Sequence, residues 1–106
     1  MPVATQHVRV GLAQFNPVVG DIAGNSRRIR ELYVAANDAG CDIVAFPELS
    51  ITGYPPEDLV LKSGFVAENQ RAMREIVAET QGCVAVFGFV DGTLGSVSNS
   101  AAIASN

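Results

Sequence analysis

Basic residues are scarce in this sequence and histidine scarcer still: seven lysines and arginines stand against eleven acids, with a single histidine, His7. The net charge of −4 comes with no basic run and no interleaving of basic and aromatic residues. The electrostatic footprint of a nucleic-acid partner is therefore missing. One histidine, placed at the start of an apolar run, leaves no Ser-His-Asp or Cys-His set that is easy to build and excludes a histidine-rich metal site; no metal is expected. The two cysteines, Cys41 and Cys83, are too few for a disulfide framework and too far apart for a CxxC pattern. Each opens an apolar run without a neighbouring His, Lys or helix start to lower its pKa, so both read as packing residues. Long hydrophobic runs are absent as well. The longest, CVAVFGFV from Cys83, is far short of a membrane span, and MPVATQHVRV has no charged segment followed by an apolar one. No membrane partner is expected, and the expected location is cytoplasmic. Gly88, Gly92 and Gly95 in GFVDGTLG match neither GxGxxG nor GxxxxGK and read as turn residues.

Apolar residues make up 48% of the chain and charged residues only 17%, below the roughly 25% charged of an average soluble domain. That composition excludes disorder. It also implies that some surface left open by this chain alone is covered by more chain or by a partner. At 106 residues the chain is one domain at most. Residues 7–13 (HVRVGLA) read as a strand with Val8, Val10 and Leu12 on one face. Ile29, Leu32, Tyr33 and Ala36 recur at helical spacing, which predicts a helix over 25–39 capped by Asn25 and ended by Gly40. Residues 42–46 (DIVAF) lack alternation and read as a central strand covered on both faces. PPEDL starts a short helix with Pro56, Glu57 and Asp58 at its positive end. Phe65, Ala72, Met73, Ile76 and Val77 form the stripe of a longer helix over about 64–80, and CVAVFGF is the next strand. Gly92 and Gly95 lie in a connection, and residues 99–105 (NSAAIAS) form a fourth strand. Strands alternating with helices and ending in a hairpin predict an α/β fold with a mixed sheet. Because the sequence stops directly after a strand, the domain is expected to continue past Asn106.

The stretch FPELSITGYPP places a carboxylate, Glu48, where the apolar run of the second strand stops. In open α/β sheets catalytic groups collect beyond the carboxyl ends of strands. Flanked by Phe46, Leu49 and Ile51, Glu48 is expected to be partly desolvated, which suits an acid that must accept and return a proton near neutrality. The competing reading is an acid that simply turns into solvent. Lys62 reads as a solvated or helix-terminal lysine.

VRVGLAQFNPVVGDIAGN, GCDIVAFPELSITGYPPEDLVLK, CVAVFGFVD and SNSAAIAS together resemble the amino-terminal half of the nitrilase-type carbon-nitrogen hydrolase superfamily. Within it, GYPPEDLVLK after FPEL most resembles the glutaminase domain of the glutamine-dependent NAD synthetases. The resemblance implies half of an α-β-β-α sandwich of two mixed sheets flanked by helices, with residues 1–106 as a truncated glutaminase domain and the ATP-dependent ligase domain absent. It implies a Glu-Lys-Cys catalytic set in which the cysteine attacks the glutamine side-chain amide, the lysine stabilises the oxyanion and the glutamate shuttles protons. Glu48 matches the glutamate. Tyr54 matches a tyrosine lining the glutamine pocket, with packing under the loop as its equal alternative. No lysine or cysteine here matches the other two catalytic positions. The implied partners are glutamine, the remainder of the synthetase chain and further copies in a homo-oligomer. No cofactor is expected in this segment, ATP and Mg belonging to the ligase domain. Two alternatives stay open: another nitrilase-family amidase, or a non-catalytic fragment acting as an interaction module. Half a sandwich is also expected to self-associate through its open sheet.

Overall fold

The computed structural model describes residues 6–93 and 95–105. In chain order they form β1 (Val10–Leu12), α1 (Ile22–Asp38), β2 (Ile43–Ala45), a 3-10 turn (Glu57–Leu61), α2 (Ser63–Glu79), β3 (Val84–Thr93) and β4 (Ser96–Ala104). The strands make one sheet in the order β1-β2-β3-β4. The first two pairings are parallel and the last antiparallel, so the mixed sheet expected from the order of elements is present.

Local chemistry sets the boundaries. α1 begins earlier than the cap expected at Asn25, because Asp21 takes the role: its Oδ1 accepts the Gly24 N–H at 2.9 Å and its carbonyl accepts that of Asn25. Its other end stops where expected. Gly40 has φ +78°, its N–H bonds to Asn37 O and the Cys41 N–H bonds to Ala36 O, both at 3.0 Å, the paired bonds of a Schellman motif. α2 has the predicted extent but is rotated from the predicted stripe. Val66, Asn69, Ala72 and Ile76 are buried, while Val77 stays 38% exposed. Asn69 could not be placed by apolar periodicity. It donates to Val90 O at 2.6 Å and accepts from Val90 N at 3.0 Å, standing in for a neighbouring strand where β2 has already ended.

The extents of the strands depart from expectation in both directions. β1 covers only three of the residues predicted for it, and His7 is exposed ahead of it. The β3–β4 hairpin is longer than predicted, since Gly92 pairs with Val97 and Thr93 with Ser96 inside the ladder. Small and β-branched residues at 96–98 pair readily once β3 offers its edge.

Both helices serve one face of the sheet. Val44, Ala85, Phe87 and Ala104 point to that side and form a single core with Ile22, Ile29, Ala72 and Ile76. The opposite face carries Val10, Leu12 and Ile103, exposed at 54%, 71% and 73%, with Ile43, Ala45, Val84 and Val86 half-buried between them. β2 was expected to be covered on both faces. Its missing alternation does mark two apolar faces, but among the described residues nothing covers the second.

Candidate functional site

The candidate site lies where β2 gives way to its following loop, and the loop is fixed in place before any side chain on it matters. The Phe46 N–H still reaches Val86 O at 2.8 Å. Pro47 then offers no donor and the ladder stops. The chain crosses directly over β3 at Gly88, where an added Cβ would stand 2.2 Å from the Leu49 backbone nitrogen; only a residue without a side chain admits this approach. Leu49 adopts φ +47°, and Ser50, Ile51 and Thr52 are completely buried. Ser50 Oγ donates to Pro47 O, and the Gly53 N–H bonds to Leu49 O at 2.8 Å. From the other side Asn25 ties the loop to the segment ahead of α1: Oδ1 accepts the Val18 N–H, and Nδ2 donates to Val18 O and Ile51 O, all at 2.8 Å. This explains why Asn25 is buried instead of capping the helix.

Glu48 is the loop residue that turns to the uncovered face. It was expected to be half dry between Phe46, Leu49 and Ile51, and that expectation is corrected: Leu49 and Ile51 point into the protein at 4% and 0% exposure, and Glu48 itself is exposed. Of the neighbours named from the sequence, Leu49 and Ile51 turn inward, and Phe46 alone stays on the side of Glu48. Glu48 is nonetheless held, and does not swing freely into solvent. Asn99 of β4, paired across the ladder with Val90, donates its side-chain Nδ2–H to Glu48 Oε1. The two residues stand at the edge of a cavity of about 360 Å³ whose apolar lining includes Phe46, Val86 and Ala101. The arrangement is a carboxylate at the carboxyl end of a parallel strand, one oxygen engaged, over an apolar floor. Such a group can exchange a proton with a molecule seated there.

Tyr54 is 62% exposed, so it does not pack beneath the loop, and it is not among the residues lining the Glu48 cavity. The structure therefore does not bring the two sequence-predicted site residues together. Lys62 is exposed and lines a separate cavity of about 500 Å³ with Glu57, Asp58 and the following Leu59. Cys83 is 2% exposed and burial pushes its thiol above the ordinary value, with the nearby Cys41 and Asp42 acting in the same direction. That is the behaviour of a packing cysteine, and neither cysteine lines the Glu48 cavity. Among the described residues no three His, Cys, Asp or Glu side chains cluster as a metal site would require. No described helix is long and apolar enough to cross a membrane. Sequence reasoning missed Asn99, Gly88 and Asn25. The one available signal was Asn99 itself, a residue type depleted in strands yet sitting in a strand-forming run.

The chain is similar to known proteins over nearly all of its length. The profile of the carbon-nitrogen hydrolases matches residues 9–106. A glutamine-dependent NAD(+) synthetase from Xanthomonas campestris pv. campestris (strain 8004) is 44% identical over 102 residues, 95% of this chain and 18% of that protein. The enzyme of the same description from Xylella fastidiosa (strain Temecula1) is 48% identical over 86 residues, 80% of this chain and 16% of that protein. The chain thus spans less than a fifth of the length of these curated relatives. Among solved structures, a glutamine-dependent NAD+ synthetase from Acinetobacter baumannii in complex with ADP superposes with a TM-score of 0.81 at 41% identity, over 89% of this chain and 18% of that one. One from Cytophaga hutchinsonii reaches a TM-score of 0.87 at 28% identity, over 93% and 17%. An amidase from Nesterenkonia sp. shares the fold, with a TM-score of 0.82 at 20% identity over 95% of this chain and 39% of that one.

Proposed function

From the premise that this chain belongs to the carbon-nitrogen hydrolase family, we propose that it is part of a glutaminase unit releasing ammonia from glutamine for NAD synthesis. In this reading Glu48 is the general acid-base of the unit. The observation that carries the reading is the placement of Glu48: the carboxyl end of β2, on a loop held by Gly88 and Asn25, over an apolar cavity. The similarity to NAD synthetases over 95% of the chain supports glutamine as the amide.

In such chemistry the carboxylate takes the proton of an attacking thiol, gives one to the departing ammonia, and then draws one from the water that hydrolyses the thioester. An apolar floor beside the carboxylate favours this sequence, because a substrate seated there removes water from the reacting atoms. A lysine and a nucleophilic cysteine complete the set in this reading. These 106 residues offer neither at a matching position, so they do not turn over glutamine alone. ATP and Mg are assigned to the synthetase part, and no residue described here is assigned to them. Further copies of the whole enzyme and a cytoplasmic location belong to the same reading.

The test is Glu48→Gln in the intact protein. Glutamine-driven NAD synthesis is expected to fall by about 10²–10⁴-fold, the span of general acid-base catalysis, while synthesis driven by added ammonia continues. Unchanged use of glutamine would overturn the assignment.

A further inference from the structure

The hydrogen bond from Asn99 to Glu48 spans 51 residues of sequence and is separate from the backbone ladder that pairs β4 with the sheet. Both side chains are exposed, and the backbone of Asn99 is already paired in the β3–β4 ladder. Its amide Nδ2 can only donate, and the oxygen it meets is Glu48 Oε1. Once protonated, a carboxyl oxygen is the weaker acceptor, so a carboxyl group that keeps this bond favours its proton on Oε2 over Oε1.

We infer that Asn99 is a positioning residue for the acid-base step, holding Glu48 Oε1 as an acceptor so that Oε2 takes up and returns the proton. The inference rests on the glutaminase reading of Glu48 for its consequence, though not for its geometry. Two features of the structure support it. The rigid loop sets the backbone of Glu48 through Gly88 and Leu49 but leaves the carboxylate with freely rotating bonds, so a second element has to orient it. β4 supplies that element from the uncovered face, where Ala101 and Asn99 project beside Gly88. The bond is charge-assisted, hence among the stronger ones available to a neutral side chain. Removing it leaves an exposed carboxylate that finds other rotamers.

The distinguishing variant is Asn99→Asp, close to isosteric, exposed, and lacking only the donor while adding a repelling charge. In the intact protein it is expected to lower kcat for glutamine-driven synthesis about tenfold to a hundredfold, the effect of one hydrogen bond to a charged group. KM for glutamine should stay within about threefold and the ammonia-driven rate should not change, on the same grounds. Asn99→Ser, which restores a donor, should recover part of the loss. A kcat within twofold of the parent for Asn99→Asp would overturn the inference. A readout independent of activity comes from side-chain amide resonances of the intact protein. The Asn99 side-chain amide proton should resonate downfield of the other Asn and Gln amide protons and lose that shift in Glu48→Ala; no difference between the two spectra would overturn the contact. If Glu48→Gln leaves glutamine use intact, the glutaminase reading fails and takes the role of Asn99 with it. If Glu48→Gln abolishes it and Asn99→Asp does not, only the role of Asn99 fails.

Discussion

The two faces of the sheet are built from the same strands and much the same residue types, yet their fates are opposite. On one side Val44, Ala85 and Phe87 lie at 1% exposure beneath α1 and α2. On the other, Leu12 and Ile103 stand at 71% and 73%. Apolar character alone therefore does not distinguish core from surface here; the helices do, because βαβ connections have carried both to one side. The open side holds the candidate chemistry. In the proposed reading Glu48 and Asn99 need access to a substrate, and the open face gives it.

Substitutions that exploit this contrast rank by how much packing they disturb. Ile29 is completely buried among residues of both helices and the sheet. Ile29→Ala should cost about 2–5 kcal/mol, read as a fall in the denaturant midpoint with unchanged slope. Gly88→Ala tests a place where the chain itself closes over the sheet. The new methyl would meet the Leu49 nitrogen at 2.2 Å, and a loss of about 1–3 kcal/mol is expected, with Glu48 displaced and glutamine use reduced in the intact protein. A Gly88→Ala variant as stable and active as the parent would show that the loop does not depend on this approach. Ile103→Ser should be nearly silent, within about 0.5 kcal/mol in the chain as described. A large loss there would mean that the outer face is covered in solution and would erase the comparison.

Much of the framework was legible in the sequence because it rests on short-range rules. The helical stripe of Ile29, the stop at Gly40 and the buried run ending at Pro47 depend on periodicity and turn chemistry within a few residues. Glu48 could be singled out because it interrupts an apolar run at a strand end, and family resemblance assigned it a role. The errors have a common origin. Asn25 was read as a cap because asparagine caps helices, whereas Asp21 was closer to the true start and Asn25 was needed by Val18 and Ile51. Glu48 was read as half buried by its sequence neighbours, although the loop, with Leu49 at φ +47°, has Leu49 and Ile51 facing inward and leaves only Phe46 beside it. The partners of Asn69 and Asn99 were not visible, since each acts on a residue more than twenty positions away.

By itself the sequence determined the order of strands and helices, the ends marked by Gly40 and Pro47, and the carboxylate worth watching, because backbone sterics and hydrophobic periodicity act locally. Which face the helices cover, how closely the loop rides on Gly88, and that Asn99 arrives opposite Glu48 were decided only in three dimensions. The register of four strands sets those distances, and register is a property of the whole sheet that no single segment carries.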